Sequence, residues 1–177
     1  MTLTPPVRKF IFTAHLVASV GWIGAVMAYL ALVVAALTSD DGQTVRAAFR
    51  AMELSYFVLV PLALGALLTG IVQSLGTTWG LFRHYLVVFK LLLTVVATAV
   101  LLLHQPAVND LAEAAADTDR VDLPAAGGEL LHAGVGLLVL LTTAILGVYK
   151  PRGMTKYGRR KQAEERARKQ QPPVLAP

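Results

Sequence analysis

Cysteine is missing altogether from the 177 residues. That excludes disulfides, thiolate metal sites and iron–sulfur clusters held by cysteine. Charge is scarce as well: 15% of the residues are charged, against roughly 25% in an ordinary soluble domain. The few charges are segregated, so long stretches carry almost none. Catalytic triads, zinc-protease motifs and phosphate loops are absent. Gly134-Val135-Gly136 follows no strand and is no dinucleotide fingerprint. No acidic residue falls in the core of an apolar segment, which speaks against a proton- or cation-coupled carrier. The net charge of +5 would suggest nucleic acid in a soluble protein. Here the basic residues flank apolar segments, so the expected partner is the lipid bilayer and no nucleic acid is expected.

What the chain has is apolar length. Hydrophobic residues make up 55% of it, and they gather in segments at about 10–37, 54–75, 82–103 and 130–149. Crossing a hydrocarbon core of ~30 Å takes roughly 20 apolar residues as a helix. Lipid offers the backbone no hydrogen-bond partners, so helix is the open-chain solution. The expected fold is therefore all-α, an integral membrane four-helix bundle. Residues 1–150 form the membrane domain, and 151–177 form a basic cytoplasmic tail, disordered or loosely helical. The first segment is too long for the apolar part of a signal peptide, roughly 7–15 residues, and reads as a retained helix. Pro61 should kink the second helix. In the stretch 105–129, Ala107–Ala116 reads as a short surface helix that Asn109 could cap, and Pro124 with Gly127-Gly128 should break the chain before the fourth helix.

Positive residues on short loops set topology. Arg8, Lys9, Arg83, Lys150, Arg152 and the basic tail share one side. The other side holds only Arg46, Arg50 and Arg120, beside acids that include Asp40, Asp41, Asp110, Asp117 and Glu129. The expectation is a multi-pass plasma-membrane protein with both termini in the cytoplasm.

Polar groups at membrane depth are costly and mark function. The four histidines, His15, His84, His104 and His132, all lie in or at the ends of the apolar segments. They form an inner level (His15, His84) and an outer one (His104, His132). Two histidines facing each other at one level would suit bis-histidine haem ligation, whereas zinc or copper wants three or four converging ligands. On an ideal helix His84 and His104 point about 200° apart, while Lys90 and His104 lie about 40° from alignment. Lys90 thus reads either as an inward charge partner or as a snorkelling side chain. His15, Ser19 and Trp22 share a face of the first helix, where Trp22 reads as core packing or as a cofactor contact. His84 reads as an interfacial residue. Small residues on the first helix (Ala14, Ala18, Gly21, Ala25, Ala28) and Thr143 and Gly147 on the fourth read as close-packing positions, within the bundle or in a homodimer.

The run His15-Leu-Val-Ala-Ser-Val-Gly-Trp22-Ile-Gly24 resembles the first-helix pattern of the copper-resistance D membrane family and of the bacterial membrane protoporphyrinogen oxidase family. The third helix, where Lys90 precedes Leu-Leu-Leu, is similar to both. Val148–Met154 resembles uncharacterised actinobacterial integral membrane proteins. The resemblance implies haem bound in a four-helix bundle, with essential roles at His15 and Lys90. Ala25 stands where a second glycine is common. The resulting expectation is a small membrane protein that binds haem b, or a metal ion such as copper, in a redox or cofactor-handling role, with a redox partner. His15, His104, His132, Lys90 and Trp22 are the candidate cofactor residues, and His15 and His132 the first candidate metal ligands. The alternative is a cofactor-free structural or accessory membrane protein.

Overall fold

The structure is a computed structural model that describes residues 4–76, 84–117, 123–149, 153 and 155–170. It consists of α1 (Pro5–Thr38), α2 (Gly42–Leu75), α3 (Tyr85–Asp117), α4 (Leu123–Tyr149) and α5 (Lys156–Gln170). The first four are long and apolar enough to cross a membrane. Residues 82–83 of the third apolar segment, Arg120, Lys150, Arg152 and the end of the tail at Pro172-Pro173 lie outside the described residues.

The helices pack as a ring in which α1 touches α2 and α4, and α3 touches α2 and α4. Partner pairs fix the directions. His15 meets Gly70, Ala18 meets Gly65 and Gly21 meets Leu62, so rising numbers on α1 meet falling ones on α2. Lys90 meets Gly147 and His104 meets Glu129, so α3 and α4 are antiparallel too. One end of the bundle carries the start of α1 and the finish of α4 (the terminal end). The other carries the α1–α2 and α3–α4 connections (the far end).

The core is built from a regular stripe on each of two helices. Trp22, Val26, Tyr29, Val33 and Ala36 are buried on α1, and Phe49, Met52, Tyr56, Leu59, Ala63 and Ala66 on α2. Both stripes advance by alternating threes and fours, the period that keeps one seam facing a partner helix. Glycine lets the backbones close at Gly21, where an added Cβ would stand 3.2 Å from a Leu62 methyl. Large apolar side chains elsewhere point outward, among them Phe10, Phe57, Leu103 and Val148. In water that surface would drive aggregation, whereas in lipid it costs nothing.

The helices outrun the apolar segments, mostly at the far end. α2 begins at Gly42 because Asp41 caps it, accepting from the amides of Gln43 (3.3 Å) and Thr44 (3.0 Å). Its first turns bury Ala48 and Phe49, so the apolar stripe continues although Arg46 and Arg50 dilute the composition. α3 likewise runs through Pro106 to Asp117. The expected separate helix at 107–116 is its continuation, held by buried Val108, Ala112 and Ala115. Pro124 and the glycine pair do not break the chain before the fourth helix. They lie in the first turns of α4, where proline costs no intrahelical bond. The tail is helical over Lys156–Gln170. Near its start, Arg160 and Lys161 both reach Glu164 at 3.0 Å.

Candidate functional site

Two polar levels sit within the bundle. Along α1, His15 and Tyr29 are separated by about 21 Å at 1.5 Å per residue. The level near the terminal end holds His15, Thr69, Gly70, Lys90 and Gly147. The level near the far end holds Tyr29, Tyr56, His104, Glu129 and His132.

At the first level the His15 imidazole reaches across to α2. Its Nδ1 stands 3.1 Å from the Ala66 carbonyl oxygen and 3.1 Å from Thr69 Oγ1. The Thr69 hydroxyl donates within its own helix, to the Gly65 carbonyl. Both neighbours of Nδ1 therefore accept, so Nδ1 carries the proton and donates. Gly70 makes room for the ring: a Cβ there would lie 3.1 Å from His15 Cε1. Lys90 extends to α4, its Nζ standing 2.8 Å from where a Gly147 Cβ would be. Gly147 is in the last turn of α4, whose unpaired carbonyls and dipole favour a cation. Lys90 thus serves α4's end, and it does not share a level with His104.

The second level holds a residue that sequence reasoning assigned to a loop. Glu129 is 3% exposed inside α4. Tyr29 Oη donates to its Oε2 at 2.6 Å, and His104 Nε2 lies 2.7 Å from its Oε1. The absence of an acid within the helix cores, which spoke against a carrier, is corrected by this residue. The reason for the miss is local: α4 begins at Leu123, so Glu129 is two turns inside it instead of at its mouth. The Tyr56 ring meets Tyr29 edge-on at 6.3 Å. The His104 and His132 rings stack at 3.7 Å, only 11° from parallel. Polar groups from α1, α3 and α4 thus converge at one point.

Beside this cluster lies a cavity of about 910 Å³, walled chiefly by α3 and α4, which pack most sparsely of the neighbouring helices. Its walls are largely apolar, and its polar residues near the far end include Glu129, His104, His132, Asp110, Tyr29 and Tyr56. Val96, Val100, Leu131 and Val135 line it and are also exposed on the bundle surface. The mouth is therefore rimmed by side chains suited to lipid. Trp22 also lines the cavity; its indole Nε1, which has essentially no accessible surface, has no hydrogen-bond partner among the described residues.

The structure thus groups His104, His132 and Trp22 around one cavity and places His15 and Lys90 elsewhere. His84 lies just before α3. Among the described residues no three histidine, aspartate or glutamate side chains form a group suited to a metal ion. No family model, curated protein or solved structure matches the chain.

Proposed function

We propose that this chain is a multi-pass plasma-membrane protein that holds a largely apolar cofactor in the α3–α4 cavity and serves a redox or cofactor-handling role. The observation that carries the reading is the cavity itself: some 910 Å³, largely apolar, with Glu129, His104 and His132 among its few polar lining residues. Ligand sites of this kind combine a greasy body with a few convergent polar groups, within about 300–1,000 Å³. Haem b fits this place better than a bare copper ion does. The two stacked imidazoles supply fewer nitrogens than a metal ion needs, while a flat macrocycle suits the apolar walls. His132 would hold the iron, with His104 kept in place by Glu129. Bound haem would supply one-electron redox chemistry. His15 and Lys90, at the other polar level, would support the bundle. The charge asymmetry of the loops puts both termini in the cytoplasm and the far end outside.

The test is the visible spectrum of detergent-purified protein expressed with ample haem. A strong absorption band, lost in His132→Ala and retained in His15→Ala, supports the reading. A colourless protein after haem reconstitution overturns haem as the occupant.

The second reading, a cofactor-free accessory protein, is favoured by one observation. His15 and His104 already have partners within the fold, at Ala66 and Glu129.

A further inference from the structure

α5 takes no part in the cavity. Its residues, Lys156–Gln170, include seven basic and two acidic ones, a net charge of +5 that equals the net charge of the whole chain. It packs against none of α1–α4 among the described residues. At about 100° per residue, Lys156, Arg159, Arg160, Ala163, Arg166 and Ala167 fall within an arc of about 120°. All six are exposed. No acid falls within the arc. Glu164 borders it and is taken by Arg160 and Lys161, while position 165 is on the opposite side of the helix. Lys156, Arg159 and Arg166 make no ion pair among the described residues.

We infer that this acid-free face lies on the headgroups of the leaflet into which α4 emerges, and binds anionic phospholipid there. α4 ends at Tyr149, whose side chain is exposed, and tyrosine is enriched at the membrane–water interface. From Tyr149 to Lys156 the chain can reach at most about 25 Å, so α5 stays close to the bilayer surface. It offers a protein groove little. Apart from Tyr157 it has no large apolar side chain, and helices that dock into grooves present apolar anchors at helical spacing. Ala163 and Ala167 are short, so the longer basic side chains beside them can reach a flat layer of phosphates together. Basic clusters just beyond a membrane helix attract anionic lipid, by about fivefold in binding for each charge. The inference is independent of what fills the cavity. It rests on α4 crossing the membrane and on the cytoplasmic placement of the C-terminus, the side on which the leaflet is anionic.

The experiment uses the full chain in lipid nanodiscs. Both leaflets are then alike, so the outcome does not depend on orientation, which reporter fusions test separately. The chain has no cysteine, so Gln162→Cys gives a single site for a nitroxide label, at the edge of the face and not between it and the headgroups. In discs of phosphatidylcholine mixed equally with phosphatidylglycerol, the spectrum should show a slow, docked component. In phosphatidylcholine alone the label should be mobile. Salt at about 1 M, where the Debye length is about 3 Å, should release the docked helix. Lys156→Gln, Arg159→Gln and Arg166→Gln together should lower the docked-to-free ratio by about a hundredfold. Lys161→Gln, Arg168→Gln and Lys169→Gln together remove the same charge from outside the arc and should lower it far less. Equal losses in the two triple variants overturn the face. A label equally mobile in both kinds of disc overturns lipid binding. A DNA duplex that immobilises the label in phosphatidylcholine discs, at a salt concentration where the mixed discs leave it mobile, makes nucleic acid the partner and overturns the lipid assignment.

Discussion

Glu129 shows how one buried carboxyl group can organise a helical bundle. Both its carboxyl oxygens have partners, from Tyr29 on α1 and His104 on α3, so it ties three helices at one point. Glu129→Leu would fill the space but leave the Tyr29 hydroxyl and the His104 ring without an acceptor. The expected loss is about 3 kcal/mol, on the scale of removing one partner of a buried pair. Thermal unfolding in detergent measures it, and an unchanged midpoint would show that the cluster does not hold the fold. Glycines give a second comparison. At Gly70 a methyl would meet the His15 ring at 3.1 Å, and that ring is held by contacts to Ala66 and Thr69. Gly70→Ala is expected to cost about 1–2 kcal/mol as overpacking. Gly136→Ala, where nothing lies within 4 Å, should be neutral or gain from helix propensity. Equal effects of the two changes would contradict the His15 packing.

At the scale of elements, the far-end extensions of α2 and α3 depend on local devices. The α2 start rests on the Asp41 cap, whose carboxylate accepts from the Thr44 hydroxyl at 2.7 Å as well as from two amides. The Thr44 hydroxyl, then the Thr44 and Gln43 amides, hold the Asp41 carboxyl below its ordinary value of 3.8. A lowered folded value means that the cap's contribution is full above 3.8 and fades as pH falls through the folded value. The Thr44 amide resonance should therefore titrate with a midpoint below 3.8, and Asp41→Asn should abolish that titration. A midpoint above 3.8 would contradict the cap. α5 depends on its own ion pairs instead: it packs against none of α1–α4 among the described residues. Deleting residues 156–177 should leave the bundle's unfolding midpoint unchanged, and a drop of several degrees would reveal a docking contact.

For the whole molecule, ring packing leaves one seam looser than the others, and the cavity forms there. The Ala18 and Gly21 part of the small-residue stripe is spent on α2, at Gly65 and Leu62, within a single chain. Topology is tested by reporter fusions. Those placed after Asp41 and Asp117 should report an external position, and those after Gly76 and Gly158 a cytoplasmic one. An external C-terminus would overturn the orientation drawn from the loop charges.

The number of spanning helices was determined by the sequence alone, because lipid admits only long apolar helices and these announce themselves by composition. The different depths of His15 and of the pair His104 and His132 were legible too, since depth follows from counting residues along a helix. The helix ends were not. Val45, Ala48, Phe49 and Met52 carry the α2 stripe, but interleaved arginines make the segment look like a loop. Val108, Ala112 and Ala115 do the same for α3 beyond Pro106. The site was least legible of all. Glu129 reads as one more acid in a charged loop until α4 is extended to Leu123. Its partners Tyr29 and His104 are 100 and 25 residues away in the chain. Which histidines meet, and that His15 turns to α2 instead of sharing a centre with His132, depends on how four antiparallel helices rotate and pack. Helical periodicity fixes angles within one helix, and only the contacts between helices fix them relative to one another.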